Sequence, residues 1–370
     1  MNIASPVSDY MTGVIEIIEF LAGLVIIFAV LNDVFESVVV PRPSPFRLLR
    51  LTRLVIRGTW RIWRALGVRS SSSEKRERIL GTFAPRILIG LLLIWIAGLI
   101  LGFGLMLYAL RTQTTPPLQN LPMAMYYAGT SLLTIGYGDI VAHSWLARLV
   151  SITAAIAGLG LIALAISFIF SLYASFQRRE VLIVTLDARA GAPPSGLTLL
   201  EAAAKLGLKD DMARIFVEWE KWSAEVLDSH MAYPLLAYFR SSHDSESWIS
   251  ALGAVLDAAT LVLTTVTDIP RGPAQMMYAM GRHTVEDLAR YFRIPQDHQP
   301  GVERYEFDEA RARLAKVGYT LLGPDESWTA FSRLRSEYAL PLNDMAKWFA
   351  APPTQWIGDR SYRRLLEDRH

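Results

Sequence analysis

The chain contains no cysteine. Disulfides, thiolate metal sites and cysteine nucleophiles are therefore excluded. Charge is scarce too: 19% of the 370 residues are Asp, Glu, Lys or Arg, against 52% hydrophobic, a balance that points to a membrane protein. No Lys or Arg precedes Arg42, so the basic region that a signal peptide needs is missing from the first apolar stretch. Two stretches hold no charged side chain at all, 24 positions from Ile87 to Leu110 and 29 from Leu149 to Gln177. Each is long enough to cross a hydrocarbon core of roughly 30 Å as a helix.

What charge there is falls in blocks. Residues 1–41 carry five acids (Asp9, Glu16, Glu19, Asp33, Glu36) and no base, and 14–40 form a third candidate span around "FLAGLVIIFAVL". Residues 42–86 carry twelve bases and two acids, whereas 87–147 carry only Arg111 and Asp139. The positive-inside rule then predicts three spans, an outside N-terminus and a cytoplasmic C-terminal half in a cell membrane. From Glu180 onward there are 21 bases and 27 acids, the composition of a folded soluble domain. The run "WISALGAVLDAATLVLTTV" at 248–266 resembles a fourth span, but a membrane-buried Asp257 would cost about 2.5–3.5 kcal/mol. It is read as a buried helix of the soluble domain.

Within the basic block, Arg47, Arg50, Arg53, Arg57, Arg61 and Arg64 recur every three or four residues, so on a helix they share one side. A voltage sensor would need neighbouring helices to supply countercharges, and only one span precedes this segment. The reading adopted is an amphipathic helix on the cytoplasmic leaflet, its arginines at anionic lipid phosphates and Trp60 and Trp63 at the interface. Asp33 and Glu36 are candidate partners for these arginines.

Between the two uncharged spans lies "PMAMYYAGTSLLTIGYGDI". Pro122 suits the first turn of a helix, and about three turns are too few to cross. A half-crossing helix followed by irregular backbone is tolerated only where that backbone is buried in protein or lines an aqueous path. Stripping water from an ion requires oxygens at fixed spacing, and backbone carbonyls supply them when successive residues turn the same way. Gly136 and Gly138 permit the positive φ this needs. The carbonyls of Thr134, Ile135, Gly136 and Tyr137, with the Thr134 hydroxyl, would then form successive cation sites.

This segment resembles the potassium channel family, whose filter signature T-x-G-Y-G is commonly followed by Asp. The resemblance implies K+ as the permeant ion, bound along Thr134, Ile135, Gly136, Tyr137 and Gly138. It also implies filter support from Tyr126, Tyr127, Thr130, Ser131 and Asp139, a gating hinge at Gly158, and a bundle crossing at Ile166, Phe170 and Ala174. Tyr126 and Tyr127 stand where the family often has two tryptophans, and are expected to brace Tyr137. Thr130 stands where some members have a Glu that pairs with the Asp after the filter. One loop cannot surround an ion, so a homotetramer is expected. The wider chain resembles an uncharacterised bacterial group of that family with an extra N-terminal span, which implies a shared architecture and no assigned ligand.

The fold expected is an all-α membrane protein, a tetrameric pore-loop cation channel module joined to an all-α cytoplasmic domain. Its parts are an N-terminal transmembrane helix (1–41), a basic interfacial helix and linker (42–82), the pore module (83–178) and the cytoplasmic helical domain (179–370). "REVLIVTLDARAGAPPSG" begins as a strand-like run, but no G-x-G-x-x-G follows it, so a nucleotide fingerprint is absent. His230, His243, Asp244 and His283 match no metal-ligand spacing. No nucleophile or phosphate-loop motif supports an enzyme, and no nucleic-acid partner or organic cofactor is expected; the regulatory ligand is unknown. The function expected is passive K+ transport. The alternatives are a non-selective cation channel, a transporter subunit, and a membrane-anchored enzyme, signalling protein or scaffold with a vestigial pore.

Overall fold

A computed structural model describes residues 6–40, 51–70, 72–241, 246–294 and 301–357. The described chain is almost entirely helical, with one two-stranded ribbon, and it divides into two compact units. The first comprises Met1–Thr59 and Pro85–Leu172, the second Trp60–Ala84 and Tyr173–His370. Three helices are long and apolar enough to cross a membrane, within Gly13–Val39, Glu74–Ala109 and Trp145–Ala190.

In the first unit α1 (Pro6–Val34), prolonged by a π-helical turn at Phe35–Val39, packs on α4 (Phe83–Ala109). Glycines make that approach possible. A methyl group on Gly23 would sit 2.4 Å from the Gly102 carbonyl oxygen, and one on Gly98 would sit 2.7 Å from Val30. Small residues let helix backbones meet where the hydrophobic effect gives no drive. At one end Arg111 pairs with Glu16 (3.1 Å) and Glu19 (3.0 Å) of α1.

Asp33, 4% exposed, is the buried acid of the same contact. It accepts from Trp95 Nε1 (2.9 Å) and from the Thr52 backbone N–H (3.2 Å) and hydroxyl (2.5 Å). Among the described residues Asp33 thus meets an indole and a threonine, while Arg47 and Arg50 of the expected arginine partners lie outside them. A neutral donor set satisfies a buried carboxylate without bringing a second charge out of water.

The second unit takes the end of α2 (Leu51–Val68) and α3 (Ser73–Gly81) together with the helices that follow residue 172. Trp60, expected at a lipid interface, is only 1% exposed. Its indole N–H donates to the Trp348 carbonyl (3.1 Å), and its ring meets Phe83 and Tyr238 edge-on at 4.9 and 5.0 Å. Trp63 is half-buried and donates to the Ile79 carbonyl at 2.8 Å. Amphipathic spacing identified two faces of this helix but not which one meets protein. The exposed side is apolar, with Leu54 at 73% and Ile62 at 64%. Arg53, Arg57 and Arg64 are half-buried and Arg61 is exposed, while Arg47 and Arg50 lie outside the described residues.

The strand-like run after residue 178 is a helix. A single helix, α6, runs from Trp145 to Ala190, because short β-branched runs fit either period and tertiary burial decides between them. Arg179, Ile183, Leu186 and Ala190 recur at helical spacing and are all buried. Behind it, α7 (Gly196–Lys205), α8 (Met212–Ala232), α10 (Arg271–Phe292) and α12 (Pro324–Trp348) surround α9 (Trp248–Thr264). α9 is the buried helix expected at 248–266, with every residue but Leu263 buried. Asp257 at its centre accepts from Arg335 Nε (3.0 Å) and Tyr338 Oη (2.6 Å), so its charge is compensated inside the bundle. A shorter helix, α11 (Arg304–Lys316), completes the unit.

Candidate ion-conduction site

The loop is built from a capped half-length helix. α5 (Leu121–Leu132) starts at Asn120, whose side-chain oxygen accepts from the Met123 N–H at 2.9 Å, with Pro122 in the first turn. Asparagine two residues before that proline was a sequence signal for this start. α5 is seated by Gly104 of α4, where a methyl group would lie 2.9 Å from Met125. Its other end is seated by Gly158 of α6, where a methyl group would lie 1.8 Å from the Leu132 carbonyl oxygen. α6 passes through Gly158 without interruption.

After α5 the backbone alternates. Thr134, Gly136 and Gly138 have φ of 56°, 58° and 79°, and neither Ile135 nor Tyr137 has positive φ. Alternating handedness turns successive peptide carbonyls to the same side, which an ordinary strand does not do. The left-handed Thr134 was not expected, because its side chain makes that region costly without support. Support comes from α5, whose Thr130 carbonyl accepts from the Ile135 N–H (2.8 Å) and also the Gly136 N–H (3.3 Å), while the Ser131 carbonyl accepts from the Thr134 N–H (3.1 Å). Thr130 itself is buried, its hydroxyl donating to the Tyr127 carbonyl at 2.9 Å.

The hydroxyls of the two tyrosines bond on either side of the loop. Tyr126 Oη donates to Asp139 Oδ2 at 2.9 Å, and Tyr127 Oη is hydrogen-bonded to Ser151 Oγ of α6 at 3.0 Å. Tyr137 is 68% exposed. The loop's two ends are clamped by the antiparallel ribbon of β1 (Thr114–Thr115) and β2 (Val141–Ala142), and Arg148 Nε donates to the Ala142 carbonyl at 3.1 Å. Every residue from Leu133 to Asp139 is exposed in the single chain, and Ile166, Phe170 and Ala174 are exposed along α6.

Among the described residues no group of three His, Asp or Glu side chains is placed to hold a metal ion. His230 is buried, with Nδ1 2.8 Å from the Val226 carbonyl, and His283 lies on another helix beside Asp287 at 3.5 Å. His243 and Asp244 lie outside the described residues.

Residues 87–175, which contain α5, the 134–138 backbone and the α6 segment against them, match the family model described as "Ion channel". That segment is about a quarter of the chain, and the similarity to potassium channel subunits covers the same fraction. Similar proteins include the delayed-rectifier potassium channel regulatory subunit KCNS2 of Mus musculus and of Homo sapiens, each 29% identical over 92 residues. The corresponding subunit KCNS3 of Homo sapiens is 28% identical over 93 residues. Each match covers 25% of this chain and 19% of the relative. No solved structure matches the chain significantly. With three helices long and apolar enough to cross a membrane, two of them overlapping the matched segment, the chain is an all-α membrane protein.

Proposed function

We propose that four copies of this chain form a potassium-selective channel with the 134–138 carbonyls around its axis. The observation that carries this is the alternation of φ at Thr134, Gly136 and Gly138, which aims a row of carbonyls one way and leaves it bare in one chain. Four such rows replace the hydration shell of a dehydrated cation, and cyclic symmetry closes them with identical chains. The negative end of α5 favours a cation in the cavity beyond.

Around this pore the three spans run with the N-terminus outside, and the second unit hangs in the cytoplasm, where it modulates opening. The exposed Leu54, Ile62 and Leu66 of α2 enter the cytoplasmic leaflet, and Arg61 beside them meets anionic headgroups. Gly158, in this reading, is a docking point for α5 before it is a hinge.

Flux through liposomes of purified protein under opposing K+ and Na+ gradients tests the proposal, with Gly136→Asp as the inactive control. Potassium flux that Gly136→Asp abolishes is expected. Equal sodium flux would make this a non-selective channel, and no flux in any condition would leave a membrane-anchored protein with a silent loop.

A further inference from the structure

The C-terminal half of α6 has two unlike sides. Arg179, Ile183, Leu186 and Ala190 are buried in the helical unit of their own chain. That side is pinned in place: the Arg179 carbonyl accepts from Trp222 Nε1 at 3.0 Å, and its guanidinium donates to the Leu236 and Phe239 carbonyls, both at 3.0 Å. The opposite side carries Ala174, Gln177, Val181, Val184 and Ala188, all exposed, with Val181 at 61% and Val184 at 41%. Apolar residues bare to this degree on a rigidly held helix mark a surface that meets something.

The spacing identifies what it meets. Positions 174, 177, 181, 184 and 188 are separated by alternating steps of three and four, and the same register continues backward through Phe170, Ser167 and Ala163, also exposed. None of these eight side chains is charged. Six of the eight are apolar, and a largely apolar repeat averaging 3.5 residues is the signature of a helix that supercoils against partner helices. Buried positions such as Arg179, Ile183 and Leu186 fall on the outer side of that repeat, where a coiled coil would leave room for them. Alanines at 174 and 188 permit close approach, and Gln177 supplies a polar layer of the kind that sets register.

We propose that the stripe Ala174–Gln177–Val181–Val184–Ala188 is a self-association seam, filled by the same stripe of other copies of this chain. The partner follows from continuity. α6 carries one register from Ala163 to Ala188, so copies whose α6 helices converge around a common pore axis meet along this stripe as well. The proposal rests on that reading of several copies about one axis. From 174 to 188 the seam is about 21 Å long. Movement of the attached helical unit then acts directly on the seam, because both are faces of one helix.

A chain without cysteine makes the test direct. Val181→Cys and Val184→Cys are placed singly in the full chain, with Val217→Cys, 52% exposed on α8, as the control. Each is treated in membranes with a mild oxidant and a short thiol-reactive crosslinker. The mass of the unmodified protein in detergent and its potassium flux are measured in parallel. Covalent dimers are expected from Val181→Cys and Val184→Cys, several-fold above Val217→Cys. A tetrameric mass with no such excess overturns the seam and leaves the pore reading intact. Crosslinking without potassium flux supports the seam and sinks the pore reading, and a monomer with no crosslinking ends both.

Discussion

Tyr126 Oη donates to Asp139 Oδ2 across 2.9 Å, so the residue that ends the candidate ion path is held by the helix that begins it. Both groups are exposed in the single chain, and in that respect the bond is a positional restraint more than a source of folding stability. Tyr126→Phe is expected to leave expression and oligomer mass unchanged, while potassium flux decays several-fold faster during sustained transport. Asp139→Asn should give the same direction of change. Flux that stays identical to wild type in Tyr126→Phe would remove this restraint from the mechanism.

Gly158 faces a carbonyl. A methyl group there would lie 1.8 Å from the Leu132 oxygen, whereas one on Gly160 meets nothing within 4 Å. Gly158→Ala should therefore displace α5 and cost about 1–3 kcal/mol or more by overpacking, abolishing flux. Gly160→Ala is expected to be tolerated. Thermal unfolding in detergent, followed by flux, checks the pair; equal tolerance of both variants would refute the close approach.

Asp33 is the buried acceptor for Trp95 Nε1 and for Thr52. Asp33→Ala orphans those donors at about 1–3 kcal/mol for each one left buried, and Asp33→Asn is expected to cost less because its carbonyl still accepts. The thermal midpoint of the purified protein reads the difference. Asp33→Ala unfolding at the wild-type temperature would show that Trp95 and Thr52 find other partners.

In the second unit, Asp257→Ala leaves the guanidinium of Arg335, 3% exposed, without its carboxylate. Breaking a buried ion pair by removing one partner costs about 3–5 kcal/mol. The double change Asp257→Ala with Arg335→Met should recover much of that loss, as measured by denaturant unfolding; a double variant no more stable than Asp257→Ala would contradict this account.

His230 is enclosed, and burial, followed by the nearby charge of Arg179, holds its imidazole well below the usual 6.5. The folded protein therefore keeps it neutral while an unfolded chain protonates near that value. Stability is fully present above pH 6.5 and falls as pH drops from there towards the folded value, because only the unfolded state gains the proton. His230→Gln should flatten that part of the curve. Thermal midpoints measured above and below pH 6.5 in both proteins test this, and parallel curves would exclude His230 as the source.

The loop was legible from its letters because its constraints are local. Two uncharged runs, a proline-started half helix and glycines at 136 and 138 each act within a few residues of chain. Positive φ at Thr134 was not legible, since a threonine enters that region only when α5 supplies the Thr130 and Ser131 carbonyls to hold it. The tyrosine pair was visible but its partners were not, as Asp139 and Ser151 reach Tyr126 and Tyr127 only after the loop has folded back.

The sequence by itself determined where apolar chain is long enough to span a membrane, that helices would dominate, and where a backbone of alternating handedness was sterically allowed. These follow from charge depletion, periodicity and glycine, which need no distant neighbour. Tertiary structure alone decided that α6 continues to Ala190, that Trp60 lies against Phe83 and Tyr238, and that Asp33 bonds Trp95. In each case the residues could satisfy their chemistry in more than one way, and burial against a particular neighbour made the choice.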